Sequence, residues 1–131
     1  MIVIVCGGRD ARDPGPIFWW LGQLHAALRF TRLIEGGQRT VDAETGEPIG
    51  GVDYFANIWA RANKIPCDTV RADWNRHGRA AGPIRNRKML EMKPDAVVAF
   101  PGGAGTADMM RQAIAAGVRV YPCENGGPPR T

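Results

Sequence analysis

Ala96-Val97-Val98-Ala99-Phe100-Pro101-Gly102-Gly103-Ala104-Gly105-Thr106 reads as a strand, a glycine-rich turn and the start of a helix. The apolar run is short, as suits a strand covered on both faces. The glycines after Pro101 let backbone approach a ligand closely. A helix starting near Thr106 offers free N–H groups and a partial positive charge. Together they predict a backbone cradle for an anion, a ligand-binding turn that begins at Pro101. Gly102, Gly103, Gly105 and Thr106 would hold a phosphate.

The same order recurs along the chain. Ile2–Cys6 reads as a first strand ending in Gly7-Gly8, and Arg32–Glu35 as a second ending in Gly36-Gly37. A third is expected over Cys67–Arg71, the fourth over Ala96–Phe100 and a fifth over Val118–Tyr121. Helical patterns run over Pro16–Phe30, Val52–Asn63, Pro83–Met92 and Thr106–Ala116. Ile17, Trp20, Leu21, Leu24 and Leu28 share a face of the first, and Phe55, Ile58, Trp59 and Ala62 a face of the second. Gly117 suits the position just past a helix end.

This alternation predicts an α/β fold. It is a single doubly wound parallel sheet of about five strands, with helices on both faces and right-handed crossovers. Such sheets bind ligands beyond the carboxyl ends of their strands, where the strand order reverses. Gly7-Gly8, Gly36-Gly37, Asp73-Trp74 and Gly102-Gly103 are therefore expected on one rim. Gln38–Gly50, with Asp42, Glu44 and Glu47, reads as a long loop, either a lid, a dimer contact or a mobile surface segment.

At 131 residues the chain fits one domain, burying about two thirds of its unfolded surface. That domain is expected over 1–124, and the Gly/Pro-rich stretch 125–131 is expected to be a disordered tail. No apolar stretch approaches the roughly 20 residues of a membrane span. Met1–Cys6 lacks a basic start and a small-residue cleavage site, so a signal peptide is not expected and the cytoplasm is the expected compartment. Cys6, Cys67 and Cys123 are widely spaced and odd in number. Neither a disulfide framework nor a metal site is expected, and no cofactor is implied.

The net charge is +4, and basic residues crowd the stretch Arg71, Arg76, Arg79, Arg85, Arg87, Lys88 and Lys93. Arginine favours bidentate contact with phosphate. A solvated basic face is the other reading. Nucleic acid is the weaker alternative, because the cluster is short and Trp74 is its only aromatic residue.

Several side chains join the cradle as candidates. Gly7-Gly8-Arg9-Asp10 is not the dinucleotide fingerprint, yet Gly7 and Gly8 permit close approach. Arg9 suits a phosphate, and Asp10 suits a ribose hydroxyl or the orientation of Arg9. Asp53, opening the second helix, is either a dipole partner or a ligand contact, and Gly37 belongs to the rim. Trp74 either stacks on a base or anchors the basic loop. Arg85 and Asn86 fall in the first turn of the third helix. Asp108, two residues after Thr106, is either a helix-dipole partner or a group at the cradle mouth. His77 and His25 have no visible chemical partner.

Taken together, these motifs resemble the SLOG superfamily, the Rossmann-like group that includes Lonely guy phosphoribohydrolases and DprA-like proteins. The likeness is greatest to its YspA-like (YAcAr) branch. It rests on Gly7-Gly8-Arg9-Asp10, Gly36-Gly37, Gly51-Val52-Asp53, Ala72-Asp73-Trp74, Gly82-Pro83, Arg85-Asn86 and Phe100–Thr106. The resemblance implies a site for a nucleotide or nucleotide-derived molecule of ADP-ribose type. In the phosphoribohydrolases an Arg on the third helix and a Glu in PGGxGTxxE serve N-glycosidic cleavage. The matching Arg is Arg85, but the Glu position holds Met109. Asp108 is adjacent, turned about 100° around the helix. The sequence thus favours binding, for sensing or sequestration, over hydrolysis. The alternative is ribosyl-bond cleavage with Arg85 and either Asp10 or Asp108. Relatives of this fold commonly pair, and Trp19-Trp20 offers a bulky side chain in two helix directions, so a homo-oligomer is expected.

Overall fold

A computed structural model describes residues 1–123. The stretch 125–131, expected as a tail, lies outside the described residues. Five parallel strands form the central sheet: β1 (Ile2–Cys6), β2 (Arg32–Glu35), β5 (Cys67–Thr69), β6 (Ala96–Ala99) and β7 (Arg119–Pro122). Their order is β5-β2-β1-β6-β7, with every pairing parallel. The chain steps outward from β1 to β2 and β5, then crosses back to β6 on the other side. The strand order therefore reverses between β1 and β6, which defines the crevice for a ligand.

Alternation of side chains along each strand sends two sets of apolar groups to opposite faces. Val3, Val5, Leu33, Ala96 and Val98 meet α1 (Gly15–Leu28) and α2 (Val52–Ala62). Ile4, Ile34 and Val97 meet Met89 of α4 (Ala81–Glu91) and Met109 and Ala113 of α5 (Ala104–Ala115). Met109 is wholly buried, and such a side chain is worth about 1.5–3 kcal/mol over an exposed one. Ile17 and Leu21 are buried on α1, while Trp20, Leu24 and Leu28 pack partly buried against the same core. On α2 the inward stripe is Val52, Phe55, Ala56, Trp59 and Ala60. Ile58 and Ala62, both expected on that stripe, are exposed.

The structure departs from the sequence pattern in three places. Gln38–Gly50 is a small antiparallel hairpin rather than a long loop: β3 (Thr40–Val41) pairs with β4 (Pro48–Gly50). Its tip is closed by Asp42, whose carboxylate accepts from the Glu44 and Thr45 N–H groups. Its base is fastened to the β1–α1 loop, with Gly51 N donating to Ala11 O at 2.8 Å and Thr40 Oγ1 to Arg9 O at 2.7 Å. Gly51 sits at φ +117°, a conformation that favours glycine, at the N-cap of α2.

Second, a short helix, α3 (Trp74–His77), and a 3₁₀ turn (Gly78–Ala80) precede α4. Asp73 caps α3 by accepting from Arg76 N at 3.2 Å. Helix α4 begins at Ala81, two residues before Pro83, because a proline in the first turn gives up an N–H that has no helical partner. Third, α5 begins at Ala104 rather than Thr106. Gly105 and Thr106 are therefore part of its first turn, and the cradle is the helix end itself.

Candidate functional site

The β1 and β6 loops meet at the switch point. Gly8 N donates to Pro101 O at 2.9 Å, and Val52 N, opening α2, donates to Gly8 O at 3.0 Å. Side chains do not fit here: a Cβ on Gly7 would stand 2.6 Å from Val52 Cγ2, and one on Gly102 would strike Thr106 Oγ1 and Gly8 N. In α5 the first backbone N–H with a helical partner is that of Ala107, which donates to Gly103 O at 3.1 Å. The N–H groups at Ala104, Gly105 and Thr106 precede it and have no partner within the helix.

Arg85 crosses the floor of this rim. It is buried on α4, with Nη1 donating to Gly36 O at 2.9 Å and Nε to Asn86 Oδ1 at 2.9 Å. Asn86 in turn donates to Gly105 O at 3.1 Å and to Asp108 Oδ2 at 3.0 Å. Asp108 also accepts from Gln112 Nε2 at 2.8 Å. A continuous chain of hydrogen bonds thus runs from the end of β2 to the first turns of α5.

Two buried carboxylates lie under the Gly36-Gly37 turn. Glu35 is fully buried and accepts from Gly37 N at 2.5 Å, from Asn57 Nδ2 at 3.2 Å and from Thr69 Oγ1. Asp53 accepts from Gln38 N at 3.0 Å. Burial, with a smaller push from Glu35, raises the Asp53 carboxyl to about 7, although the Gln38 N–H and the Arg85 charge oppose it. Burial also holds Cys6 at about 12, so it stays a thiol.

Above this floor is a cleft of about 300 Å³, at the low end for small-molecule sites. Gly7, Gly8, Arg9 and Asp10 form one wall, and Gly103, Gly105 and Thr106 another; Trp74 and Arg85 also line it. Asn86 and Asp53 lie lower, around a cavity of about 20 Å³ shared with Cys6 and Arg85, enough for one water. Gly37 belongs to a neighbouring cleft, and Pro101 and Gly102 to a larger one on the α1 side. Asp108 lines none of these clefts. Its carboxylate is engaged with Asn86 and Gln112, and it braces α5 against α4.

Around the clefts are also Glu35, Gln38, Arg39, Gly82 and Ala104, which the sequence did not single out as site residues. Gln38 and Arg39 follow the Gly36-Gly37 pair directly, which was the available signal. A Cβ on Gly82 would stand 3.4 Å from Trp74 Cη2.

The switch-point crevice, the glycine-lined contact between the β1 and β6 loops and the parallel five-stranded sheet define a Rossmann-like α/β domain. The X-ray structure of TM1055, a structural genomics target, has this fold: the TM-score is 0.64 at 20% identity, over 91% of this chain and 71% of that one. The chain belongs to the family of the Gene 61 protein of Mycobacterium phage D29. The two are 31% identical over 126 residues, covering 90% of this chain and 92% of the phage protein. No protein-family profile matches the chain. Among the described residues, no helix is long and apolar enough to cross a membrane.

Proposed function

We propose that this chain is a binding module for a nucleotide or nucleotide-derived signal of ADP-ribose type, of the YspA-like branch of the SLOG superfamily. A phosphate sits on the first turn of α5, against the N–H groups of Gly105 and Thr106, with Arg85 supplying full positive charge. Arg9 and Asp10 contact sugar or a second phosphate, and Trp74 stacks on a ring. One observation carries this reading. An open helix N-terminus and a buried arginine share one cleft at the reversal of strand order.

Binding is favoured over turnover by the state of the carboxylates. Met109 fills the core at the position where the phosphoribohydrolases carry glutamate, and Asp108 is occupied by Asn86 and Gln112. Asp10 is the exposed carboxylate at the rim that cleavage of a ribosyl bond would use. Nucleic-acid binding is a weaker alternative, because Arg76, Arg79, Arg87, Lys88 and Lys93 are exposed and none of them lines the cleft. Pairing of two copies belongs to the same proposal, with the half-buried Trp19-Trp20 pair on α1 as its contact, and light scattering measures it.

The test is incubation with AMP, NAD, ADP-ribose and single-stranded DNA, followed by denaturation and mass spectrometry. Intact nucleotide retained by the protein supports binding. Released base and ribose phosphate would transfer the reading to hydrolysis. DNA affinity equal to or above that for every nucleotide would overturn both. A true ligand at 100-fold excess over Kd stabilises the fold by about 2.7 kcal/mol.

A further inference from the structure

Beside the cleft on α5 lies a second one of about 270 Å³. Arg9, Arg39, Arg71 and Arg85 all line it, together with the Gly36-Gly37 turn and Trp74. Arg9, Trp74 and Arg85 also line the first cleft, so the two are continuous across these side chains. None of the four arginines makes an ion pair with a carboxylate among the described residues; the pairs there involve Arg32, Arg87 and Arg111.

Three of the four guanidinium groups are held in place by other means. Arg39 lies over the Tyr54 ring at 5.5 Å, and its buried Nε has no acceptor. Arg71 Nη1 donates to Gly37 O at 3.4 Å, and Arg85 to Gly36 O. Guanidinium does not give up its proton, so the positive charges stay and repel one another. Two carboxylates lie under the turn: Glu35 is engaged by Gly37 N, Asn57 and Thr69, and Asp53 is drawn toward its neutral form by burial; neither makes an ion pair with an arginine among the described residues. A site of this kind is complementary to a multiply charged anion such as a phosphate, two of whose oxygens a guanidinium group can grip in bidentate fashion.

We infer that the arginine cleft is a second anion subsite, and that the ligand carries two anionic groups. One rests on the first turn of α5 and the other among Arg9, Arg39 and Arg71, with Trp74 beside both. This inference rests on the nucleotide-binding reading and narrows it to molecules with two phosphates, diphosphate-linked or held apart on one nucleoside. A nucleoside monophosphate fills only half of the site.

The test compares AMP with ADP-ribose and adenosine 3′,5′-bisphosphate by calorimetry on the wild-type chain and on an Arg39→Gln/Arg71→Gln variant. At least one of the two-phosphate probes is expected to bind the wild type ten- to a hundredfold tighter than AMP, and the margin is expected to shrink to a few-fold in the variant. If AMP binds as tightly as both, or if the margin survives the double substitution, the second subsite is wrong and the nucleotide reading stands. If none of the three binds, both are wrong.

Discussion

Arg85 Nη1 donates to the Gly36 carbonyl at 2.9 Å, so one side chain of α4 closes the carboxyl end of β2. Its Nε meanwhile orients Asn86. Replacing Arg85 with Ala leaves the Gly36 carbonyl and the Asn86 amide oxygen without these donors. A cost of about 1–3 kcal/mol per group is expected. The thermal shift given by ADP-ribose should vanish as well. Arg85→Lys, which keeps the charge but loses the planar fork, should recover part of the shift. A full shift in Arg85→Ala would remove Arg85 from the phosphate site.

Gly102 and Gly103 are neighbours with opposite tolerances. A Cβ on Gly102 would collide with Thr106 Oγ1 and Gly8 N, whereas one on Gly103 meets nothing within 4 Å. Gly102→Ala is expected to cost about 1–3 kcal/mol by overpacking. Gly103→Ala, at φ −97°, should melt within about 0.5 kcal/mol of wild type. Its methyl group stands in the cleft, so nucleotide affinity should fall although the fold is intact. Chemical denaturation and calorimetry on the two variants separate these effects.

Asp108 ties α5 to α4 through Asn86 and is also engaged by Gln112. Asp108→Ala removes the acceptor of Asn86 and Gln112, for an expected loss of about 1–3 kcal/mol. Nucleotide Kd should stay within about threefold of wild type, under 1 kcal/mol. Unchanged melting with a large loss of affinity would instead place Asp108 at the ligand.

Asp53 makes stability depend on pH in an unusual direction. Its carboxyl is raised from the ordinary 3.8 to about 7 in the fold, chiefly by burial. Between these values the folded chain holds a proton that the unfolded chain has lost. The contribution of Asp53 is therefore most favourable below about pH 4, falls as pH rises toward 7, and is level above that. Asp53→Asn, which can still accept from Gln38 N, should flatten this slope. Urea melts across the range check it, and an unchanged slope would assign the dependence elsewhere.

Much of the fold was legible because β1, β2 and β6 are buried on both faces and so read as short apolar runs. The glycines at Gly7 and Gly102 were legible because close contact there excludes side chains. The β3–β4 hairpin was not. Its strands are two and three residues long and include Pro48, too short for alternation to register. The occupation of Asp108 was hidden for another reason. Spacing gives a direction around a helix, but the partners, Asn86 on α4 and Gln112 one turn on, come from packing. Glu35 was missed because a carboxylate ending an apolar strand looks like a surface boundary; three donors, from the Gly36-Gly37 turn, α2 and β5, make it an interior group.

The cleft is walled by segments far apart along the chain: Arg9, Gln38, Trp74, Arg85 and Gly105. No contiguous piece of the protein contains it. Any molecule seated there touches four of the crossovers at once, so loosening one of them weakens its hold on the rest. Occupancy therefore reports on the integrity of the whole domain, and a truncated chain that kept the glycine turn alone would have nothing to close around.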